Sequence, residues 1–345
     1  MRILYALLIA LLYAKPSSAL DLGIPIACDY GFDCFIESYY DHSKEANIVT
    51  DHACGRLSYD GHKSTDFILK NHSQMKEGVN VVAGDSGVIK YVRDGMSDVS
   101  VDLIGEEAVR GRECGNGIII DHKRGYTTEY CHLKRNSITV KVGDEVEKGD
   151  PIAQVGLSGN TTFPYLEFTV RNGKGAAVDP FTGEDPVTGS VDVSCDSLDI
   201  YPLWDKQTEK NLDYISTAML GIGFSEKVPH ASGAREGKYS KERIKNNAHL
   251  LVLWTDIFGI IKGDDLKMSI IAPDGSVLAS EVRQFTNNKR HMFQFMGKKP
   301  TFKRWPLGEY IGKIELIRKD GEDFDKVINE TFALEIIDAN AQKNQ

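Results

Sequence analysis

Short apolar runs separated by glycine and other turn formers dominate residues 51–190. Segments 79–84, 87–92, 117–121, 137–144 and 150–156 each read as a strand bounded by turn signals. Residues 126–130 follow 117–121 across a turn near Lys123-Arg124-Gly125, which predicts a hairpin. Strict alternation marks 165–170: Leu166, Phe168 and Val170 face a core, and Tyr165, Glu167 and Thr169 face the other way. Without long amphipathic helices between the strands, the pattern predicts a mainly β domain built on antiparallel sheet.

The texture changes near residue 200. Segment 212–220 reads as a short helix, and 225–247 is polar without a clear period, so 199–247 is expected to be a linker with a short helix. Strands return at 249–255, 266–272, 310–318 and 326–337, with Pro273-Asp274-Gly275 as a turn. That spacing predicts an immunoglobulin-like β-sandwich over 248–345. Its Trp305 and Tyr310 read as core residues in preference to a ligand surface.

The chain has 345 residues, room for two domains that each bury a core. At its start, Arg2 precedes an apolar run over 3–14, and Ser17-x-Ala19 has the small-residue spacing of a signal-peptide cleavage site. Such a run is too short to cross a bilayer core of ~30 Å as a helix. Residues 1–19 are therefore expected to be a signal peptide, leaving an exported chain, periplasmic or extracellular, with no transmembrane segment after cleavage. Cleavage removes Arg2 and Lys15 from a chain whose formal net charge is already −9. This acidic balance argues against a nucleic-acid partner and offers no general attraction to an anionic wall.

Export changes the reading of the cysteines. Cys28, Cys34, Cys54, Cys114, Cys131 and Cys195 are an even set that allows up to three disulfides in an oxidising compartment. Cys114 and Cys131 flank the predicted hairpin, which makes that pair plausible. There is no C-x-x-C pair to favour a metal–thiolate site.

Three segments place ligand-capable groups beside strand residues: Gly61-His62-Lys63-Ser64-Thr65-Asp66, Tyr130-Cys131-His132-Leu133 and Tyr165-Leu166-Glu167. Together with Gly78-x-x-Val81-x-Ala83, Val142-Gly143-Asp144-x-Val146 and Gly156-x-Ser158-Gly159, their order and spacing resemble the lysostaphin-type (LytM-like) zinc endopeptidases. The resemblance covers roughly residues 50–185 and implies a peptidase domain over 20–198. It implies that His62 and Asp66 are zinc ligands and that His132 is a catalytic histidine. The family's next motif is His-x-His, and this chain has Tyr165 and Glu167 in its place.

Glu167 can serve as the third Zn²⁺ ligand through a carboxylate oxygen. Two carboxylates and one imidazole make that centre formally neutral, so bound water would be acidified less than at a cationic centre. A phenol near pKa 10 stays protonated at pH 7, so Tyr165 can donate to a developing oxyanion but cannot act as base. His132 would be the general base. The resemblance thus implies an exported zinc metalloendopeptidase that hydrolyses peptide cross-links of peptidoglycan, or another extracytoplasmic peptide, with an altered metal site. The rival is a catalytically inactive binding protein or an activator of cell-wall hydrolases, because both members of His-x-His are replaced. His42, His52, His72, His122, His230, His249 and His291 read as structural.

Overall fold

The computed structural model describes residues 20–122, 125–184, 200–301, 303–320 and 323–340. The expected signal peptide, Cys195 and the turn residues Lys123 and Arg124 lie outside them. Among the described residues no helix is long and apolar enough to cross a membrane.

The first half contributes β1 (Cys34–Ser38), β2 (Thr65–Leu69), β3 (Asn80–Val82), β4 (Gly87–Arg93), β5 (Asn116–Asp121), β6 (Thr127–Leu133), β7 (Glu145–Val146), β8 (Pro151–Gln154), β9 (Tyr165–Arg171) and β10 (Ala177–Val178). Eight of these form one antiparallel sheet in the order β1-β2-β9-β6-β5-β4-β7, with β10 also paired to β9. Strands β3 and β8 pair separately. The alternation along β9 acts as its sequence requires, since Leu166, Phe168 and Val170 are fully buried. Phe168 packs 5.3 Å from the Tyr130 ring and 5.9 Å from Trp204.

Cys114 and Cys131 form the disulfide anticipated across the β5–β6 hairpin, and Cys28 pairs with Cys34. The first closes a loop of 17 residues and restricts the unfolded chain, an effect of about 3 kcal/mol for a loop of that order. Segment 137–144, expected to be a strand, is not one. It meets β8 through a single backbone bond from Thr139 N–H to Ile152 O, Ile138 and Val140 pack against the core, and Gly143 at φ 93° turns the chain before the short β7.

The second half contributes β11 (Ala218–Ser225), β12 (Arg243–Lys245), β13 (Leu251–Ile260), β14 (Asp265–Ile271), β15 (Val277–Gln284), β16 (Lys289–Lys298), β17 (Gly308–Asp320) and β18 (Asp323–Ile337). A three-stranded sheet, β11-β13-β16, faces a five-stranded sheet, β12-β18-β17-β14-β15, across a shared core. Trp305 and Tyr310 belong to that core, at 3% and 1% exposure.

The stretch expected to be a linker differs from that expectation. It holds two short helices, Lys206–Asn211, capped by Asp205, and Ala231–Arg235, and neither lies at the expected 212–220. Residues 218–225 are strand β11 and 243–245 are β12, so part of the expected linker is sheet. Gly221 and Gly223 lie in β11, whose first three residues overlap the expected 212–220 helix. They are needed there because a Cβ at either would come within about 3.0 Å of the Trp254 ring. Strand β12 escaped notice because it is a three-residue edge strand with only Ile244 buried.

The two halves touch through Phe35, Ile68 and Phe163 of the first and Leu220 and Phe258 of the second, which form one buried apolar cluster. Phe35 and Phe258 meet with ring centroids 5.5 Å apart. Beside this cluster, Arg290 Nε of β16 reaches Glu37 of β1 at 3.0 Å, and the His291 ring pairs with the same carboxylate.

Candidate functional site

Strand order brings together three segments that are far apart in sequence. β9 lies between β2 and β6, and its Glu167 is the register partner of both Asp66 on β2 and Cys131 on β6. His62, Asp66, His132, Tyr165 and Glu167 therefore occupy one region of the sheet.

His62 sits just before β2, after a turn held at Gly61. Gly61 adopts φ 76°, a conformation suited to glycine, and its N–H donates to Asp41 Oδ2 at 2.9 Å. The His62 N–H donates to Tyr59 O, its carbonyl accepts from Asp41 N–H, and its ring lies 4.2 Å from the Tyr59 ring. From this position His62 Nε2 approaches Asp66 Oδ2 at 3.3 Å, with both side chains buried. The other carboxylate oxygen, Asp66 Oδ1, is buried without a hydrogen-bond partner. Burial pushes the Asp66 carboxyl above the usual carboxylate range; His62 opposes that shift, and the charges of Glu167 and Glu37 add to it.

His132, the next-to-last residue of β6, has φ 62°, a left-handed conformation that a histidine rarely adopts. Two backbone bonds enforce it: the His132 N–H donates to Cys114 O, and the His132 carbonyl accepts from Gly156 N–H. The ring is fixed at both nitrogens. Nδ1 lies 2.8 Å from the Ser158 carbonyl, which can only accept, so Nδ1 carries the proton. Nε2 then accepts from the Tyr165 hydroxyl at 2.8 Å and lies 3.3 Å from Glu167 Oε2. A proton on Nε2 converts the last contact into a charge-assisted bond.

Glu167 responds differently from Asp66. Burial pushes it up, but the contact with His132, a hydrogen bond when Nε2 carries a proton, and the charges of His132, His62 and Arg171 outweigh burial and hold it below its usual range. Burial and the nearby Asp66 and Glu167 charges raise the Tyr165 phenol far above 10, so it remains a hydrogen-bond donor.

Zinc bonds of about 2.0–2.2 Å require ligand atoms to crowd around one point. Among the described residues, His62, Asp66 and Glu167 do not bring ligand atoms within 4.8 Å of one another, nor does any other trio from these and His132. The groups that do so are Cys28–Asp33–Cys34 and Cys114–Glu129–Cys131, whose sulfurs are joined in disulfides. In this arrangement the expected metal set does not fit zinc. Asp66 turns to His62 and Glu167 turns to His132, so each carboxylate faces an imidazole.

Sequence reasoning missed four neighbours of the site. Ser158 lies in the glycine-rich motif that was noted, but its role is carried by a backbone carbonyl. Tyr59 precedes the noted segment. Glu37 and Arg290 carry no local signal, being 253 residues apart. Three of the other histidines are held by packing or hydrogen bonds: His42 meets buried Asp179 at 2.6 Å, His52 stacks on Phe181, and His122 bridges Ser86 O and Thr128 Oγ1.

Residues 60–180 match peptidase family M23. An uncharacterized metalloprotease of Haemophilus influenzae is 30% identical over 129 residues, covering 37% of this chain and 22% of that protein. The peptidoglycan DD-endopeptidase ShyB of Vibrio cholerae is 38% identical over 79 residues, covering 22% and 17%. The cell division protein DipM of Caulobacter vibrioides is 28% identical over 110 residues, covering 31% and 16%. The chain thus spans less than a quarter of the length of these relatives. Among solved structures, the catalytic domain of lysostaphin from Staphylococcus simulans is similar at 24% identity, covering 41% of this chain and 85% of that one with a TM-score of 0.27.

Proposed function

Taking residues 60–180 as a domain of peptidase family M23, we propose that this chain is an exported LytM-like protein that binds peptidoglycan peptides without hydrolysing them. The observation that carries this reading is the pairing of each site carboxylate with its own imidazole, His62 with Asp66 and His132 with Glu167, in place of a shared metal point. Its partner is peptidoglycan or a cell-wall hydrolase, and the disulfides are consistent with a periplasmic or extracellular location. A division into a peptidase-type domain and a C-terminal β-sandwich belongs to the same proposal.

In this arrangement the Tyr165 hydroxyl, its proton held by His132 Nε2, keeps an oxygen lone pair as an acceptor, and Glu167 supplies further acceptors and negative charge. Such groups suit recognition of peptide N–H and ammonium groups. The family's metal chemistry has no role in this reading.

The test is to incubate the purified full chain with cross-linked peptidoglycan, with and without added zinc. The protein should sediment with the wall material, release no soluble fragments and carry no stoichiometric zinc by elemental analysis. Zinc-dependent fragment release that Asp66→Ala abolishes would refute the binding reading.

The unpartnered Asp66 Oδ1 favours a second reading, the altered-ligand enzyme with His62, Asp66 and Glu167 on Zn²⁺ and His132 and Tyr165 as catalytic groups. The same experiment separates the two. Stoichiometric zinc that is lost in Glu167→Gln belongs to the second.

A further inference from the structure

A cleft of about 570 Å³ opens between the two halves of the molecule, walled by residues 55–58, Tyr214, Ser216, residues 259–262 and 288–290, and Arg318. Its size falls within the range of small-ligand sites, which favour boundaries between packed units. Five of its lining side chains are cationic, Arg56, Lys262, Lys289, Arg290 and Arg318, and no described lining residue is acidic.

Two of those cations already have fixed partners. Arg318 makes a two-pronged contact with Asp264, through Nε at 2.9 Å and Nη2 at 2.8 Å. Arg290 is bonded to Glu37. Arg56, Lys262 and Lys289 have no ion pair among the described residues and are exposed. Three uncompensated cations around one cleft contrast with a chain whose formal charge is −9.

The rest of the wall mixes polar Ser58, Ser216 and Asn288 with an apolar part, to which Leu57 and Tyr214 contribute from one side and the exposed Ile261 from the other. The Tyr214 hydroxyl donates to Asp51 Oδ2 at 2.7 Å, which holds the ring in place. A compact inorganic anion would use the cations and leave this wall bare. A ligand with an aliphatic body and one anionic end would use both.

The cleft also adjoins the His62 region. The Arg290 guanidinium lies over the Tyr59 ring, 5.2 Å from its centroid, and that ring lies 4.2 Å from His62. A chain anchored by its end in the cleft would run toward Tyr59.

We propose that this cleft binds the free carboxylate end of a short aliphatic peptide, with Arg56, Lys262 and Lys289 holding the carboxylate and Leu57, Tyr214 and Ile261 holding the side chains. The proposal does not rest on the binding reading of the imidazole–carboxylate site, because none of these residues belongs to that cluster.

The experiment is titration calorimetry on the full chain at low salt, using N-acetyl-Leu-Leu as the free acid and as its amide. The acid should bind at least ~10-fold more tightly than the amide, as expected when charge-assisted contacts dominate. Arg56→Glu/Lys289→Glu, a charge reversal at two exposed positions, should remove that preference while the thermal melt stays unchanged. Equal affinity for acid and amide would overturn the proposal. So would no binding of the acid up to millimolar concentration, or acid binding that persists in the charge-reversed variant. Equally strong competition by inorganic phosphate would reduce the cleft to an unselective cation patch and overturn it as well.

Discussion

Two imidazole–carboxylate pairs lie close together on one sheet, each with its nitrogen and oxygen 3.3 Å apart, and their acids shift in opposite directions. Asp66 is pushed up and Glu167 is pulled down. The difference lies in what surrounds each pair. The Asp66 side chain is 2% exposed and faces two further carboxylates, whereas Glu167 is 26% exposed and feels His132, His62 and Arg171. Glu37 provides a third case. It is also buried, at 5% exposure, yet His291 and Arg290 overcome the burial that pushes it up and hold it at about 2. Burial raises all three acids, and the local balance of charge decides the outcome.

The largest expected effect comes from removing the apolar layer beneath the site. Phe168 is fully buried on β9, next in the strand to Glu167 and in register with Thr65. Phe168→Ala should cost about 3–5 kcal/mol in chemical denaturation and disturb both pairs together. A loss confined to a few tenths of a kcal/mol would mean that the pairs do not depend on this packing.

Glu37 supplies the next test, and it is pH-dependent. A folded-state value of about 2 lies below the ordinary 4.5, so this carboxylate contributes stability above the ordinary value. That contribution is lost as pH falls through 4.5 toward 2. Glu37→Gln should lower stability at pH 7 by about 2–3 kcal/mol and flatten this part of the acid limb. An unchanged acid limb would remove Glu37 from the comparison.

A smaller effect separates the two pairs directly. Because Glu167 is lowered, its ionised form stabilises the fold above the ordinary carboxylate range, and that contribution is lost as pH falls through its lowered folded value. Glu167→Gln should therefore destabilise the protein at pH 7 by about 1 kcal/mol. Asp66 is raised, so its ionised form carries a penalty at pH 7 that disappears once it is protonated. Asp66→Asn should be neutral or stabilising at pH 7 in the same denaturation assay. Equal losses in the two variants would break the contrast.

The smallest effect isolates the hydroxyl that only one pair possesses. Tyr165→Phe removes the bond to His132 Nε2 and should cost ~1 kcal/mol. It should also move the His132 ring resonances in NMR while leaving those of His62 in place. Movement of both sets would mean that the two pairs act as a single network.

Much of the first half is legible in the sequence, because period-2 alternation is local. Leu166, Phe168 and Val170 declare which face of β9 is buried, and the same alternation places Tyr165 and Glu167 on its other face. The Cys114–Cys131 bridge is one pairing that the sequence makes plausible, because the two cysteines flank one hairpin, and the fold selects it. Other elements are illegible for equally physical reasons. In β11, whose start overlaps the expected helix, Gly221 and Gly223 are required by the Trp254 ring above them, a contact made across two strands. Strand β12 has too few residues to display any period.

At the site, the sequence by itself determined the inventory: two histidines, two carboxylates and a tyrosine in an order that resembles one peptidase family. Tertiary structure decided their partners. Placing β9 between β2 and β6 put Glu167 between Asp66 and the end of β6, and backbone bonds at Cys114 and Gly156 turned His132 toward it. It also brought Arg290 beside Glu37 and opened the cationic cleft between the halves. Side-chain periodicity is fixed within a few residues of chain, whereas charge balance depends on every group within reach in space. That is why the sequence could name the ionisable residues while only the fold set the direction in which each is shifted.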